Sequence, residues 1–527
     1  MLHAYLFEAR GIQRFLFASG KLRDMLNGSE LLDYLCAPDG YLDQALEKLR
    51  LKPTVVRQAG GSFYLLFDHE HEARRFQAAW RLASAGWLPG LEMVDAMASA
   101  NTARDAIEGG LQLLRSGRNH LKPDLPRPGP LALRAPRTGL AATVRDQGEA
   151  LDATTARQRR FQRPSGNRCL TARFMTQDAI WPVNFEADAP ADTRFPLGDR
   201  KLVGLVHADG NGLGEVLRAI NTACLQADDQ GYTRVYRSFS ESLTEATQNA
   251  TDEASTLVLL PHAVNGVMPA RPLVLGGDDL TLIVRADLAL PFVRCWLGAF
   301  ERHTQVAMRD LQSALRKAGL SSGDAGLPEQ LTACAGICFL KSSQPFRAGH
   351  ELAESLCKRA KTRSRQVTVP GAPIPCSLAW HRVQESLIQD ADTLFALNHV
   401  VTAGATTFET ALGVYALHTG LGLPALDELD EALAAFVGGL NDRPLREMAT
   451  LLRGSTALAA QAYQRWREQA GKQAAARLQC FDKALQQLVG EPRQDLPFSI
   501  GPIGRSPLED ILVLRTIMST ATGGTNA

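Results

Sequence analysis

Leu273-Val-Leu-Gly-Gly-Asp-Asp-Leu-Thr-Leu-Ile-Val284 decides the fold. Two apolar runs flank Gly276-Gly277-Asp278-Asp279. Apolar residues on both sides of a glycine pair read as two strands closing a tight hairpin. Glycine gives the turn its backbone freedom and lets a ligand approach the main chain. Two adjacent carboxylates at the tip repel each other unless a cation neutralises them. A donor set made only of oxygens suits Mg2+ or Mn2+, shared with substrate phosphates. Gly and Asp are also ordinary turn residues, so the hairpin alone leaves both readings open.

Upstream, Leu202 to His207 reads as a strand that runs into Ala208-Asp209-Gly-Asn-Gly-Leu-Gly214. Helical spacing follows over Leu213 to Leu225 and Tyr232 to Glu253. After the hairpin strands (Pro272–Leu275 and Leu280–Val284) come a helix over Leu288–Arg302, a strand over Thr332–Leu340 and a helix over Gly349–Lys361. The order β-α-α-β-β-α-β-α is a split βαβ, or ferredoxin-like, unit with added helices. Its first strand and central hairpin are neighbours, so Asp209 is expected to face Asp278 and Asp279. Gly210, Asn211 and Gly212 leave backbone N–H groups open to a phosphate where a helix begins. Three carboxylates above such a turn outline a two-metal nucleotidyl-transfer site. The plainer role for Asp209 is a helix N-cap. Lys361, in a basic run with Lys358, Arg359, Arg363 and Arg365, reads as a phosphate ligand or as an ordinary cation at a helix C-terminus.

The chain opens with a strand over Leu2–Phe7, Gly11-Ile12-Gln13 and a helical pattern from Arg14 to Leu35, in which Gly28-Ser29 either breaks the helix or admits another backbone. Thr54–Arg57 and Ser62–Phe67 flank Gly60-Gly61 as a second hairpin, and a helix follows over Glu72–Ala85. Residues 101–195 read as an irregular connector. It contains Pro123–Pro130, which resists helix and strand alike, and a basic stretch from Arg157 to Arg168, expected to be a solvated linker rather than an RNA contact. From Cys376 onward the pattern is nearly all helix.

Among 527 residues, 45% are hydrophobic and 21% charged, as in a folded globular chain. Lys+Arg numbers 57 and Asp+Glu 56, a net charge of +1. Bulk attraction to nucleic acid or membrane is therefore not the organising feature. No run reaches the roughly 18–20 apolar residues of a membrane span. Ala403 to Leu426 comes nearest and is interrupted by Glu409, His418 and glycines. Met1–Arg10 lacks a basic region followed by an apolar run, and nine dispersed cysteines without a Cys-x-x-Cys pair suit free thiols, so a cytoplasmic location is expected. His207 is expected to be an interior hydrogen-bonded residue, His69 and His71 to lie in a polar loop, and Cys334 and Cys338 to be core.

Taken together, Asp209-Gly-Asn-Gly-Leu-Gly214, Arg271-Pro-Leu-Val-Leu-Gly-Gly-Asp-Asp279, Ala335-Gly-Ile-Cys-Phe339 and Ala360-Lys361 resemble the second palm domain of the large polymerase-like subunit of type III CRISPR effector complexes. Gly11-Ile-Gln-Arg-Phe15, Lys21-Leu-Arg-Asp24 and Gly28-Ser29 resemble that family's first-palm opening. Gln58-Ala-Gly-Gly-Ser-Phe63 sits where its degenerate hairpin lies.

The resemblance implies an α+β chain with two ferredoxin-like palms. The divisions are a degenerate first palm at 1–100, a connector at 101–195, a catalytic palm at 196–370 and a helical C-terminal domain at 371–527. It implies a nucleotidyltransferase that converts ATP to cyclic or linear oligoadenylate in antiviral defence, with guide or target RNA and other CRISPR subunits as partners and no membrane. Asp209, Asp278 and Asp279 would be the catalytic metal ligands for Mg2+ or Mn2+, Gly276 and Gly277 would shape the turn, and Lys361 would grip the triphosphate. Ser62 stands where the first hairpin would need an acid, so that palm is expected to be inactive, with at most a second nucleotide pocket. Three departures stand out. The sequence has eleven histidines but no His-Asp dipeptide, only Cys169 falls where members often carry a four-cysteine zinc site, and Asn211 replaces a second acid. Metal-dependent DNA cutting and a zinc site are therefore not expected. Two alternatives stay open: a scaffold binding guide RNA and neighbouring subunits without synthesis, and a stand-alone nucleotide cyclase similar to diguanylate cyclases. The latter prefer Phe where Leu280 stands.

Overall fold

The computed structural model describes residues 1–117, 129–164, 169–185, 190–198, 200–320, 326–369, 371–384, 389–403, 406–437 and 439–518, with the backbone alone at Ala59. Residues 123–128 of the proline-rich tract and 165–168 of the basic stretch lie outside them.

The chain is mixed α/β, with several sheets and many helices. A four-stranded sheet has the order Thr54–Ala59, Ser62–Phe67, Leu2–Arg10, Glu92–Ala100, with every neighbour antiparallel. Strands two, three, one and four of the segment thus lie side by side, the order of a split βαβ unit. The order recurs in a six-stranded sheet, as Ala270–Gly276, Asp279–Arg285, Leu202–Gly210 and Ala333–Lys341, again antiparallel throughout. Ser377–Arg382 then adds in parallel to Ala333–Lys341, and Tyr415–Ala416 closes that edge.

Residues beyond Cys376 are therefore less helical than their pattern suggests. Ser377–Arg382 is short and mostly buried, and a brief apolar run does not by itself distinguish strand from helix. Val400–Ala403, Thr406–Glu409 and Ile503–Arg505 form a further small sheet. The helical pattern from Arg14 is two helices, Ile12–Leu16 and Leu22–Asp33, separated near Gly20 at φ +70°. Gly28 does not break the second; a Cβ there would lie 2.7 Å from the Gln158 amide, which packs across it and donates to the Phe15 carbonyl at 2.7 Å. The long helices extend past their predicted ends, to Asp229–Ala254, Ala286–Lys317 and Phe346–Val367.

The connector holds the Ala103–Gly117 helix, a small hairpin and the short helices Ala153–Arg160 and Leu170–Phe174. In its basic stretch, Arg159 and Arg163 are not solvated linker residues. Arg159 pairs with buried Asp24 at 2.8 Å and with Glu149 at 2.9 Å, and Arg163 reaches Glu30 and Asp33 at 2.6 and 2.7 Å. These partners are more than a hundred residues away for Asp24, Glu30 and Asp33, so local composition does not reveal them.

Both faces of the larger sheet are buried, and strand alternation divides them. Val206 and Ala208 join a core with the Asp229–Ala254 and Ala286–Lys317 helices, which also takes Leu6 and Tyr64 of the first sheet. Val203 and Leu205 join the other core, with Phe346, Leu352 and Leu356 and with Tyr5, Phe7 and Phe63. The two sheets thus share their interiors. Each fully buried large apolar side chain contributes ~1.5–3 kcal/mol. Trp296 also satisfies its indole N–H on Thr251 Oγ1 at 3.0 Å.

Gly336 sets how closely the Phe346–Val367 helix can approach the sheet. An added Cβ would overlap the Ala353 carbonyl oxygen and lie 2.6 Å from Cys357 N. Gly336→Ala is therefore expected to cost at least ~2 kcal/mol in urea unfolding. Gly214→Ala, where a Cβ meets nothing within 4 Å, should be near neutral. Equal stability of the two variants would contradict this packing.

Candidate functional site

Cross-strand register assembles the site. Ala208 pairs with Leu280, Asp209 with Cys334, and Gly276 with Asp279 around the Gly277-Asp278 turn. Gly277 has φ +62°, and its carbonyl accepts from Thr247 Oγ1 at 2.6 Å. Gly210 must lack a side chain, because a Cβ would stand 2.7 Å from Asp278 Cβ. Carboxylate oxygens of Asp209, Asp278 and Asp279 then lie within 4.8 Å of one another. Asp209 does not cap the next helix. Gly212, at φ +76°, is the N-cap of Leu213–Ala223, and no side chain caps that end.

Burial pushes the Asp278 carboxyl up to about 6, and the Asp209 charge adds to the shift. Burial raises Asp279 well above the usual carboxylate range, reinforced by Asp278 and then Asp209. Lys361 Nζ donates to Asp209 Oδ2 at 2.6 Å and to the Gly210 carbonyl at 2.7 Å. Arg57, on the Thr54–Ala59 strand of the other sheet, also favours the charged form of Asp278, and its guanidinium lies over the Tyr64 ring at 5.5 Å. The sequence reading missed Arg57; the one signal for it was a cation ending an otherwise apolar strand. Despite both cations, the carboxyls of Asp278 and Asp279 are held above the ordinary carboxylate range. A cluster of hard oxygen donors that disfavours its own ionisation fits Mg2+ or Mn2+.

Asn211 is buried beside the triad. Its amide donates to Thr332 Oγ1 at 3.1 Å and to Cys334 Sγ at 3.3 Å, and its backbone N–H donates to the Thr332 carbonyl at 2.7 Å. His207 is buried, meets Thr281 Oγ1 at 3.1 Å, and is held down to about 4 by burial. It is the expected interior histidine. Cys334 and Cys338 are core. His69 precedes the Glu70–Trp87 helix and His71 lies in its first turn, with their rings stacked at 5.5 Å. All nine cysteines are free.

The two glycine hairpins meet back to back, and a Cβ on Gly276 would lie 2.9 Å from Gly60 Cα. Beside this contact is a cavity of about 440 Å3, lined by Gly60, Gly61, Gly276, Gly277, Asp279 and Arg173 among others. That volume lies within the ~300–1,000 Å3 of small-molecule sites. Among the described residues, no helix is long and apolar enough to cross a membrane.

No protein-family model matches the sequence, and no curated protein matches it. Among solved structures, Csm1 in T. onnurineus is similar at 12% identity and a TM-score of 0.47, covering 98% of this chain and 69% of that one. A Csm1–Csm4 cassette in complex with cA4 is similar at 10% identity and 0.46, covering 98% and 70%. The same cassette in complex with cA3 gives 12% and 0.38, covering 69% of this chain and 53% of that one, so this chain spans about half of its length.

The crowded carboxylates make metal-free stability depend on pH. Asp278 has a folded-state value near 6 against an ordinary 3.8, so the folded chain binds a proton that the unfolded chain has lost. Stability from this group therefore falls as pH rises between those values, by on the order of 3 kcal/mol. In EDTA, Asp278→Asn is expected to exceed the wild type in urea-unfolding stability at about pH 7.5 and to lose that advantage by about pH 4. An advantage that stays constant with pH would refute the electrostatic account.

Proposed function

We propose that the chain is a metal-dependent nucleotidyltransferase that joins ATP 3′ to 5′, with loss of pyrophosphate, into cyclic or linear oligoadenylate for CRISPR-type antiviral defence. The observation that carries this reading is the convergence of Asp209, Asp278 and Asp279 within 4.8 Å beside an uncapped helix start and a small-molecule cavity. In this reading, residues 1–100 form a degenerate palm, 101–195 the connector, 196–370 the catalytic palm and 371–527 a closing helical region. The Ser377–Arg382 strand extends the catalytic palm's sheet.

Asp209, Asp278 and Asp279 would hold Mg2+ or Mn2+. When bound, the ion neutralises triphosphate charge and acidifies an attacking 3′-hydroxyl. The chain's own residues position the nucleotide. Gly210 and Gly212 keep side chains off the phosphate path, and the start of the Leu213–Ala223 helix favours negative charge. Asn211 fixes this turn to Thr332, its N–H already committed there. Lys361 exchanges the Asp209 carboxylate for a phosphate once the triad is neutralised. Gly276 and Gly277, with Gly60 and Gly61 opposite, leave the main chain open to the cavity. Rate enhancement then comes from positioning and electrostatics rather than from a protein nucleophile. ATP, guide or target RNA and other CRISPR subunits are the partners of this reading.

Two observations favour a second reading, a non-catalytic scaffold. The Lys361 ammonium already sits against Asp209, and Asn211 brings an amide where a second acid would strengthen a metal site.

The test is incubation with Mg2+ or Mn2+ and ATP or GTP separately, with and without target RNA and neighbouring subunits, read by mass spectrometry. Oligoadenylate is expected. The Asp278→Ala, Asp279→Ala double variant should reduce it by at least about 100-fold. Lys361→Ala should raise the KM for ATP about tenfold or more. ATP left intact under every activator, with assembly preserved, would install the scaffold reading; products from GTP alone would install the stand-alone cyclase.

A further inference from the structure

A second cavity, of about 390 Å3, lies between the end of the Ser377–Arg382 strand, the Arg443–Leu452 helix and the Leu508–Met518 helix. It is far from the triad. Register pairs Ser377 with Cys334, the residue opposite Asp209, whereas Arg382 pairs with Phe339 five residues further along. At ~3.3 Å per residue, that is about 16 Å along the strand.

Arg382, Arg446 and Arg453 line this cavity, and Trp380, stacked on Tyr415 at 4.9 Å, gives it an apolar wall. Arg200 approaches from outside, donating to the Thr516 carbonyl at 3.1 Å, and Arg446 donates to the same residue's Oγ1 at 2.9 Å. The acids of the lining are engaged elsewhere. Glu509 pairs with His399, while Asp510 accepts from Leu412 N and Tyr415 OH, each at 2.7 Å. Asp442, which does not line the cavity, is shared by Arg446 at 3.0 Å and Arg515 at 3.4 Å.

Arg382 is the unusual member. It is half-buried, and its side chain makes no hydrogen bond or ion pair among the described residues. Burial opposes its charge, and Arg200 and Arg446 oppose it further. A partly desolvated guanidinium beside two others, with no acid of its own among the described residues, costs stability unless an anion neutralises it. Arginine forks match phosphate oxygens in pairs, and the enclosed volume suits a small molecule.

We infer that this cavity is a second ligand site, which binds the phosphate groups of a small phosphorylated molecule through Arg382, Arg446 and Arg453. It is independent of the nucleotidyl-transfer reading and needs no metal. The phosphate is carried either by a nucleotide, whose base would meet the Trp380 wall, or by inorganic polyphosphate.

The test is calorimetric titration of the full chain in EDTA, with ADP and with sodium tripolyphosphate as probes. Without metal, the carboxylate triad repels both. One equivalent is expected to bind. Arg382→Ala and Arg382→Gln should each weaken it at least about tenfold, while Lys361→Ala leaves it within about twofold. Preference for ADP assigns the site to a nucleotide, and preference for tripolyphosphate assigns it to polyphosphate. Because the Arg382 side chain makes no hydrogen bond or ion pair among the described residues for either variant to lose, both variants should melt at or above the wild-type temperature. The inference falls if neither probe binds at about 1 mM, if the Arg382 variants bind like wild type, or if Lys361→Ala abolishes binding.

Discussion

Mutual repulsion among Asp209, Asp278 and Asp279 is the constraint around which the centre of this chain is built. Carboxylate oxygens within 4.8 Å of one another, two of the three groups driven toward protonation, are a costly arrangement that backbone geometry must enforce. The enforcement is visible. Antiparallel register fixes Asp209 beside the hairpin, Gly210 gives way to the Asp278 side chain, and Thr247 holds the Gly277 carbonyl. Behind them, two apolar cores shared by both sheets supply the stability against which the repulsion is held. A site this strained in charge persists because the surrounding packing over-determines it.

The features that were legible in the sequence are those fixed by local chemistry or by a topological rule. The Gly276–Asp279 hairpin is a short-range signal, since glycine and alternating apolar strands specify the turn within a dozen residues. Asp209 stands about seventy residues away, yet its convergence with the hairpin follows from the strand order that a β-α-β-β-α-β pattern permits. Helix ends were less legible. The Ala286–Lys317 helix continues through charged residues beyond Arg302, where amphipathic periodicity is diluted but tertiary packing through Met308, Leu311 and Leu315 sustains the helix.

What the sequence hid depends on partners remote along the chain. Arg159 and Arg163 look like a solvated basic run until Asp24, Glu30 and Asp33 are brought beside them by folding. Arg57 gains its meaning from Asp278 across the junction of the two sheets. Lys361 was legible as a cation near the site, but not its hydrogen bond to Asp209. Ser377–Arg382 was lost in a helical background because six mostly buried residues carry no period strong enough to separate strand from helix.

The contact between the two hairpins joins the two halves of the chain. Gly60 and Gly276 approach so closely that a Cβ on Gly276 would stand 2.9 Å from Gly60 Cα, so the two halves are fixed to each other at the point where each carries its turn. One turn continues into Asp278 and Asp279; the other continues into Ser62, which brings no charge. Duplicated geometry with charge on one side only has a physical consequence. The uncharged hairpin can press against the charged one, line the same cavity and send Arg57 toward Asp278, whereas a second acidic turn would add repulsion to a cluster already short of cations. A first hairpin without acids therefore lets the first half of the chain serve as the wall and counter-charge of the second.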